Sequence, residues 1–166
     1  MPYVVASLEA AGVSVIPVIG YDRWSNVDYQ MALGAIPQRA DGRSCIRLDS
    51  SAFEDAAEPE LFQATIAEIV DQLEVDPERC AVLIDFADVS LDAMSIERII
   101  ETSESIIHQL QTLGFGRYVI AGCSLPKTID LAVSNKDSAG FVLRKEILAW
   151  QALRQSFPDL VLISGD

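Results

Sequence analysis

Positive charge is scarce in this chain, histidine occurs once, and no cysteine pair has metal or redox spacing. Lys and Arg number 12 against 25 Asp and Glu, giving a formal charge of -13 over 166 residues. That balance excludes a general nucleic-acid groove, which needs clustered bases to neutralise phosphates. It equally excludes an anionic membrane surface. A divalent metal bridging carboxylates to a phosphate-bearing substrate stays compatible with it, and its plainest consequence is solubility. Cys45, Cys80 and Cys123 lie far apart, with no CxxC, each in or beside an apolar strand-like run. They read as small buried hydrophobes in a reducing compartment. No apolar run approaches the roughly 18 residues of a membrane span, and no basic region followed by a long apolar core opens the chain. A cytoplasmic location is the expectation. No Gly-rich phosphate loop is present, and Ser124, in GCSLP, lacks the G-x-S-x-G elbow.

Apolar segments are plentiful: half of the residues are hydrophobic, enough for one domain spanning 1–166 with a substantial core. Residues 3–11 read as a helix stopped by Gly12. Strands are predicted at Val13–Ile19, Ser44–Leu48, Ala81–Ile84, Arg117–Ala121 and Leu160–Ile163. Pro17 marks the first as an edge or a bulge. Helices are predicted near Val27–Ile36, Pro59–Glu74, Leu91–Leu113 and Phe141–Phe157. The second carries Phe62, Ile66, Ile69, Val70 and Leu73 on one face. Strands separated by helices imply parallel pairing through right-handed crossovers. The fold class is therefore α/β, with five parallel β/α units. It is either TIM-barrel-like, as a partial or truncated barrel, or an open doubly wound sheet. The run Ala81-Val82-Leu83-Ile84 is continuous rather than alternating, as in a strand covered on both faces.

In either architecture the strand C-termini share one rim. The candidates there are Asp22 and Arg23, Arg47 and Asp49, Asp85 with Asp88, Ser124 and Asp166, joined by Arg144 and Glu146 from the start of the last helix. Carboxylates at several exits suit general acid–base work, here Asp49, Asp85 and Glu146, or a divalent metal, here Asp49, Asp85 and Asp166. Arg47 and Arg144 suit an anionic group through the guanidinium fork, with Asp22, Arg23 and Ser124 as further ligand contacts. The same aspartates also serve as ordinary helix caps, and Asp88 is read as a turn residue. His108 falls opposite the Ile96–Ile107 stripe of its helix and is expected at the surface, paired with Glu104. Trp150 and Phe157 belong to the core face of the last helix, and Trp24 to packing near the rim.

Taken in order, VIPVIGYDR, SCIRLD, AVLIDFADV, YVIAGCSLP, RKEILAW and ISGD resemble the phage beta-protein family, named for a protein of a T-even bacteriophage. The matching positions are Arg47, Asp49, Asp85, Pro126, Arg144, Glu146, Gly165 and Asp166. The chain departs at Ser164, where an aromatic is common, and lacks the Tyr-Gly that follows the final Asp. The resemblance implies a (β/α) barrel longer than this chain, of which the chain is a C-terminal part or truncated member, with links to phages and mobile elements. Two functions fit. One is an enzyme or ligand-binding barrel with a metal or small polar substrate at the rim. The other is a non-enzymatic acidic module that meets a basic host, phage or defence protein. If the barrel is incomplete, a protein partner or a second copy is expected at its flanking strands.

Overall fold

The computed structural model describes the chain except for residues 1, 36–42, 91–93, 127, 129–131, 134–137 and 166. Helix α1 (Pro2–Ala10) leads and ends as predicted at Gly12, which takes a left-handed φ of 77°. Strand β1 is only Val18–Gly20, not the longer run foreseen. The reason is Pro17: its carbonyl accepts from Cys45 N–H at 3.0 Å, but it has no N–H to return, so the ladder starts after it. A 3-10 turn (Tyr21–Arg23) and α2 (Val27–Gly34) follow, the latter capped by Asn26.

Strand β2 (Ser44–Leu48) has the predicted limits. A short helix, α3 (Ser50–Asp55), was not foreseen; Asp49 caps it. Helix α4 (Pro59–Leu73) buries Phe62, Ile66 and Ile69 and stops at Glu74, left-handed at φ 48°. Strand β3 (Cys80–Asp88) leads to α5 (Ile96–Gln111), whose start is set by Ser95 accepting from Arg98 N–H. Strand β4 (Arg117–Cys123), helix α6 (Lys145–Ser156) and strand β5 (Val161–Gly165) complete the chain.

The five strands are all parallel and stand in the order β1-β2-β3-β4-β5, an open sheet. Right-handed crossovers that all step the same way place their helices on one face. The helix layer runs α2, α4, α5, α6 in contact order, with α6 over β4 and β5. One register row, Ile19–Ile46–Val82–Tyr118–Leu162, faces those helices and is at most 8% exposed. The adjacent row, Gly20–Arg47–Leu83–Val119–Ile163, points the other way, and Ile163 is 50% exposed. Among the described residues, β3 is therefore fully buried on its helix side and only part-buried on the other, although its apolar run reads as buried on both.

This asymmetry makes an energetic prediction. Ile84→Ala, on the helix side, should cost about 3 kcal/mol in denaturant unfolding, and Leu83→Ala, one residue away on the bare side, about 1 kcal/mol. Equal costs would mean that both faces are covered in solution.

Candidate functional site

Arg47 is the one charged side chain of β2. It extends along the bare face toward the strand C-termini, and its Nε–H donates to Asp85 Oδ2 at 2.8 Å. The other Asp85 oxygen accepts Ala87 N–H at 2.9 Å. That bond curls the end of β3: Ala87 takes φ 53°, and the β3–β4 register shifts between Asp85 and Asp88. A bulge here re-aims the strand end, and a left-handed alanine costs about 1 kcal/mol.

Two more carboxylates flank the pair. A Cβ at Gly20, the register partner of Arg47, would lie 2.7 Å from Asp22 Oδ1, so a larger residue there would push the Asp22 carboxylate away from the end of β1. Asp22 also lies 3.5 Å from Arg23 Nε. Asp49 accepts from Ser51 N–H as the α3 cap. The Asp85 hydrogen bond raises the Arg47 pKa, burial opposes it, and the charges of Asp85, Asp49 and Asp22 add to the rise. One guanidinium thus has three carboxylates around it.

A second cluster joins β4 to α6. Ser124, directly after β4, and Glu146, in the first turn of α6, are 2% and 0% exposed. Ser124 Oγ–H donates to Glu146, and the same oxygen accepts Lys145 N–H at 2.9 Å. Arg144 occupies the N-cap position without capping through its side chain; instead its Nε–H donates to Glu146. Lys145 Nζ donates to Met94 C=O at 2.9 Å. Helix α6 therefore begins where Ser124 reaches it, four residues after the predicted Phe141. Burial pushes the Glu146 carboxyl up, but Ser124, Arg144, a backbone N–H and the Arg144 charge outweigh it and hold the group below its ordinary value.

The predicted residues thus fall into two groups: Asp22, Arg23, Arg47, Asp49 and Asp85 at the exits of β1–β3, and Ser124, Arg144 and Glu146 at β4–α6. Asp166 lies outside the described residues. Asp49 and Asp85 already serve as a cap and an ion-pair partner, and among the described residues no three His, Cys, Asp or Glu gather to hold a metal. Asp88 turns the chain by accepting from Ser90 N–H. His108 is exposed, yet its ring packs edge-on against Phe157 at 5.1 Å rather than pairing with Glu104, because the end of α6 offers it an aromatic face. Trp24 is 3% exposed and belongs to the core. Burial raises the thiol pKa of Cys45 and takes that of Cys80 to about 11, which leaves both as poor nucleophiles. The sequence reading missed the Ala87 bulge and the α6 anchor at Lys145. The D-F-A-D-V spacing hints at the first, through an Asx turn.

Fold and site together define an all-parallel α/β protein with ion-paired guanidinium groups at the strand C-termini. The chain matches the Beta protein family over residues 1–166, including the first dozen residues that the motifs did not reach, and it belongs to that family. No curated protein and no solved structure matches it. No helix among the described residues is long and apolar enough to cross a membrane.

Glu146 carries a pH prediction. Its folded pKa lies below the ordinary 4.5, so the stability it contributes is complete above that value and is lost as pH falls through the folded one. Glu146→Gln should flatten the acid limb of a Tm-against-pH profile. Ser124→Ala should cost about 1–3 kcal/mol at neutral pH, by leaving Glu146 and Lys145 N–H short of a partner. An unchanged acid limb in Glu146→Gln would remove this assignment.

Proposed function

We propose that this phage-type Beta protein is a (β/α) barrel-like domain whose rim binds a small polar ligand bearing an anionic group. The observation that carries this reading is the way Arg47 is held. Asp85 grips its Nε, and Arg47 makes no second side-chain hydrogen bond among the described residues. A guanidinium fixed at Nε keeps its two-pronged edge for a carboxylate or phosphate oxygen pair. Arg144 Nε–H also donates to Glu146, which sets a second cation beside the positive end of α6.

The net charge of -13 is the obvious objection. Exposed charges farther away than the screening length of about 8 Å act only weakly on the site at physiological salt. A direct charge-assisted hydrogen bond contributes about 1.5–3 kcal/mol. Asp22 and Asp49, beside Arg47, suit the hydroxyl groups of such a ligand. The ligand rather than a resident metal is the favoured occupant, because Asp85 spends both of its oxygens on Arg47 and Ala87.

Titration calorimetry at low salt, with inorganic phosphate and malonate as probes, tests this. The chain should bind one of them, and Arg47→Gln should weaken binding at least about tenfold, one guanidinium contact's worth. The substitution should alter stability by less than about 1 kcal/mol, since the pair is part-exposed. If neither anion binds, while an oligolysine peptide binds in a salt-sensitive manner, the acidic interaction module is the correct reading instead.

A further inference from the structure

We infer that the ligand of the Arg47 rim is a zwitterion, an α-amino acid with an aliphatic side chain. This rests on the anion-binding reading above and names the class of molecule that the site takes. The carboxylate meets Arg47, the ammonium meets Asp22 and Asp49, and the hydrocarbon lies over Leu83 and Val119.

Charge decides against a simple anion. Two guanidinium groups, Arg47 and Arg23, stand among three carboxylates, Asp22, Asp49 and Asp85, so the rim is formally negative before a ligand arrives. Asp85 is already spent, because its oxygens accept from Arg47 and Ala87. The other two keep acceptor capacity. Asp49 gives one oxygen to Ser51 N–H. Among the described residues Asp22 is ion-paired only with Arg23, at 3.5 Å, and that arginine side chain is 62% exposed. Exposed pairs of this kind are weak. Hydroxyl groups would satisfy the hydrogen bonding of Asp22 and Asp49 but leave their charge in place, whereas an ammonium answers both. A monoanion adds negative charge to a negative rim; a zwitterion adds none.

The positions agree with the charges. Asp49 follows Arg47 by two residues through extended backbone, which sets both on the bare face. Gly20, on β1, is the register partner of Arg47. The place its Cβ would take lies 2.7 Å from Asp22 Oδ1 and 3.6 Å from the Tyr29 hydroxyl oxygen, so acceptors rather than a side chain stand beside the guanidinium. The neighbour of Arg47 on the opposite side is Leu83, and Val119 and Ile163 continue the same row. Arg47 thus stands between an acceptor-lined strand end and an apolar surface. Adjacent strands are only about 4.8 Å apart, so groups branching from a single carbon reach both sides. An α-amino acid carries all three substituents on one carbon.

Titration calorimetry on the whole chain, at neutral pH and low salt, tests this with three probes of related skeleton. They are leucine, as each enantiomer, 4-methylpentanoate, which lacks the ammonium, and isoamylamine, which lacks the carboxylate. The better-bound enantiomer of leucine should bind at least about tenfold tighter than either analogue, one charge-assisted contact's worth. Asp22→Asn should weaken leucine at least about fivefold without weakening 4-methylpentanoate, whereas Arg47→Gln should weaken both. A merely structural role for Asp22 would not change the preference for the ammonium. If 4-methylpentanoate binds as tightly as leucine, or if phosphate or malonate binds and leucine does not, the zwitterion is overturned while the anion-binding reading stands. Isoamylamine matching leucine would remove the role of the carboxylate and overturn the inference. Leucine binding that ignores both substitutions would place the ligand elsewhere and overturn it too. If no probe binds, phosphate and malonate included, both readings fall together.

Discussion

Five parallel strands in unbroken order force every right-handed crossover onto one face of the sheet. The remaining features of the molecule depend on that constraint. It concentrates the isoleucine-rich surfaces of α4 and α5 against the helix-side rows of the sheet, where Ile46, Val82 and Tyr118, and after them Leu48, Ile84 and Ile120, are completely buried. It also leaves the opposite face without a helix layer among the described residues. A charged side chain in the body of a strand is tolerable there and nowhere else in this sheet. Arg47 occupies that position, with its register neighbours Gly20 and Leu83 on the same side. On the helix side its burial would cost several kcal/mol even with a partner.

The two ion-paired clusters solve different local problems with the same chemistry. At β3, Asp85 holds both a guanidinium and the backbone of a bulge, so the left-handed Ala87 and the orientation of Arg47 are fixed by one side chain. At α6, Glu146 is fully buried and therefore intolerant of losing any partner. Its bonds to Ser124 and Arg144 draw together residues on either side of the 125–143 excursion. Closing a segment of that length by a contact at its neck carries a loop-entropy cost that grows only slowly with length. The neck is accordingly an economical place to define where the helix starts and how the excursion leaves the rim.

Local rules proved sufficient where local chemistry sets the limits. The strand Ser44–Leu48 and the proline-started helix Pro59–Leu73 have the predicted bounds to within a residue. They failed where a distant group decides. Helix α6 looks as though it begins at Phe141, because the apolar pattern extends that far, but Ser124 sets its start from across the fold. Asp49 fits both rim chemistry and a cap, and the helix it caps, Ser50–Asp55, is too short and weakly patterned to announce itself in the sequence. Strand-exit reasoning placed the polar residues on the correct end of the sheet. It had no means of pairing them, since Arg47 with Asp85 and Ser124 with Glu146 depend on inter-strand register and loop closure. The apolar run of β3 does not show which face is covered, because Ala81 and Leu83 are as hydrophobic as Val82 and Ile84 while only part-buried.

That mismatch bears on what the bare face can meet. Fully burying a leucine or isoleucine side chain contributes about 1.5–3 kcal/mol, so the partly wet Leu83, Val119 and Ile163 represent stabilisation the chain does not collect alone. The face is nevertheless closely packed within its own plane. A Cβ on Gly165 would lie 3.0 Å from Val119 Cγ1 and 3.3 Å from Ala121 Cβ, leaving no spare room between β4 and β5. A covering surface must therefore be apolar and fairly smooth over β4 and β5. Over β2 and β3 it must be different, since covering Arg47 and Asp85 removes both ions from water at a cost of several kcal/mol each unless new hydrogen bonds are supplied. A purely apolar slab satisfies one half of this face and is opposed by the other. A ligand or partner that brings oxygen acceptors to Arg47 and hydrocarbon to Val119 and Ile163 satisfies both.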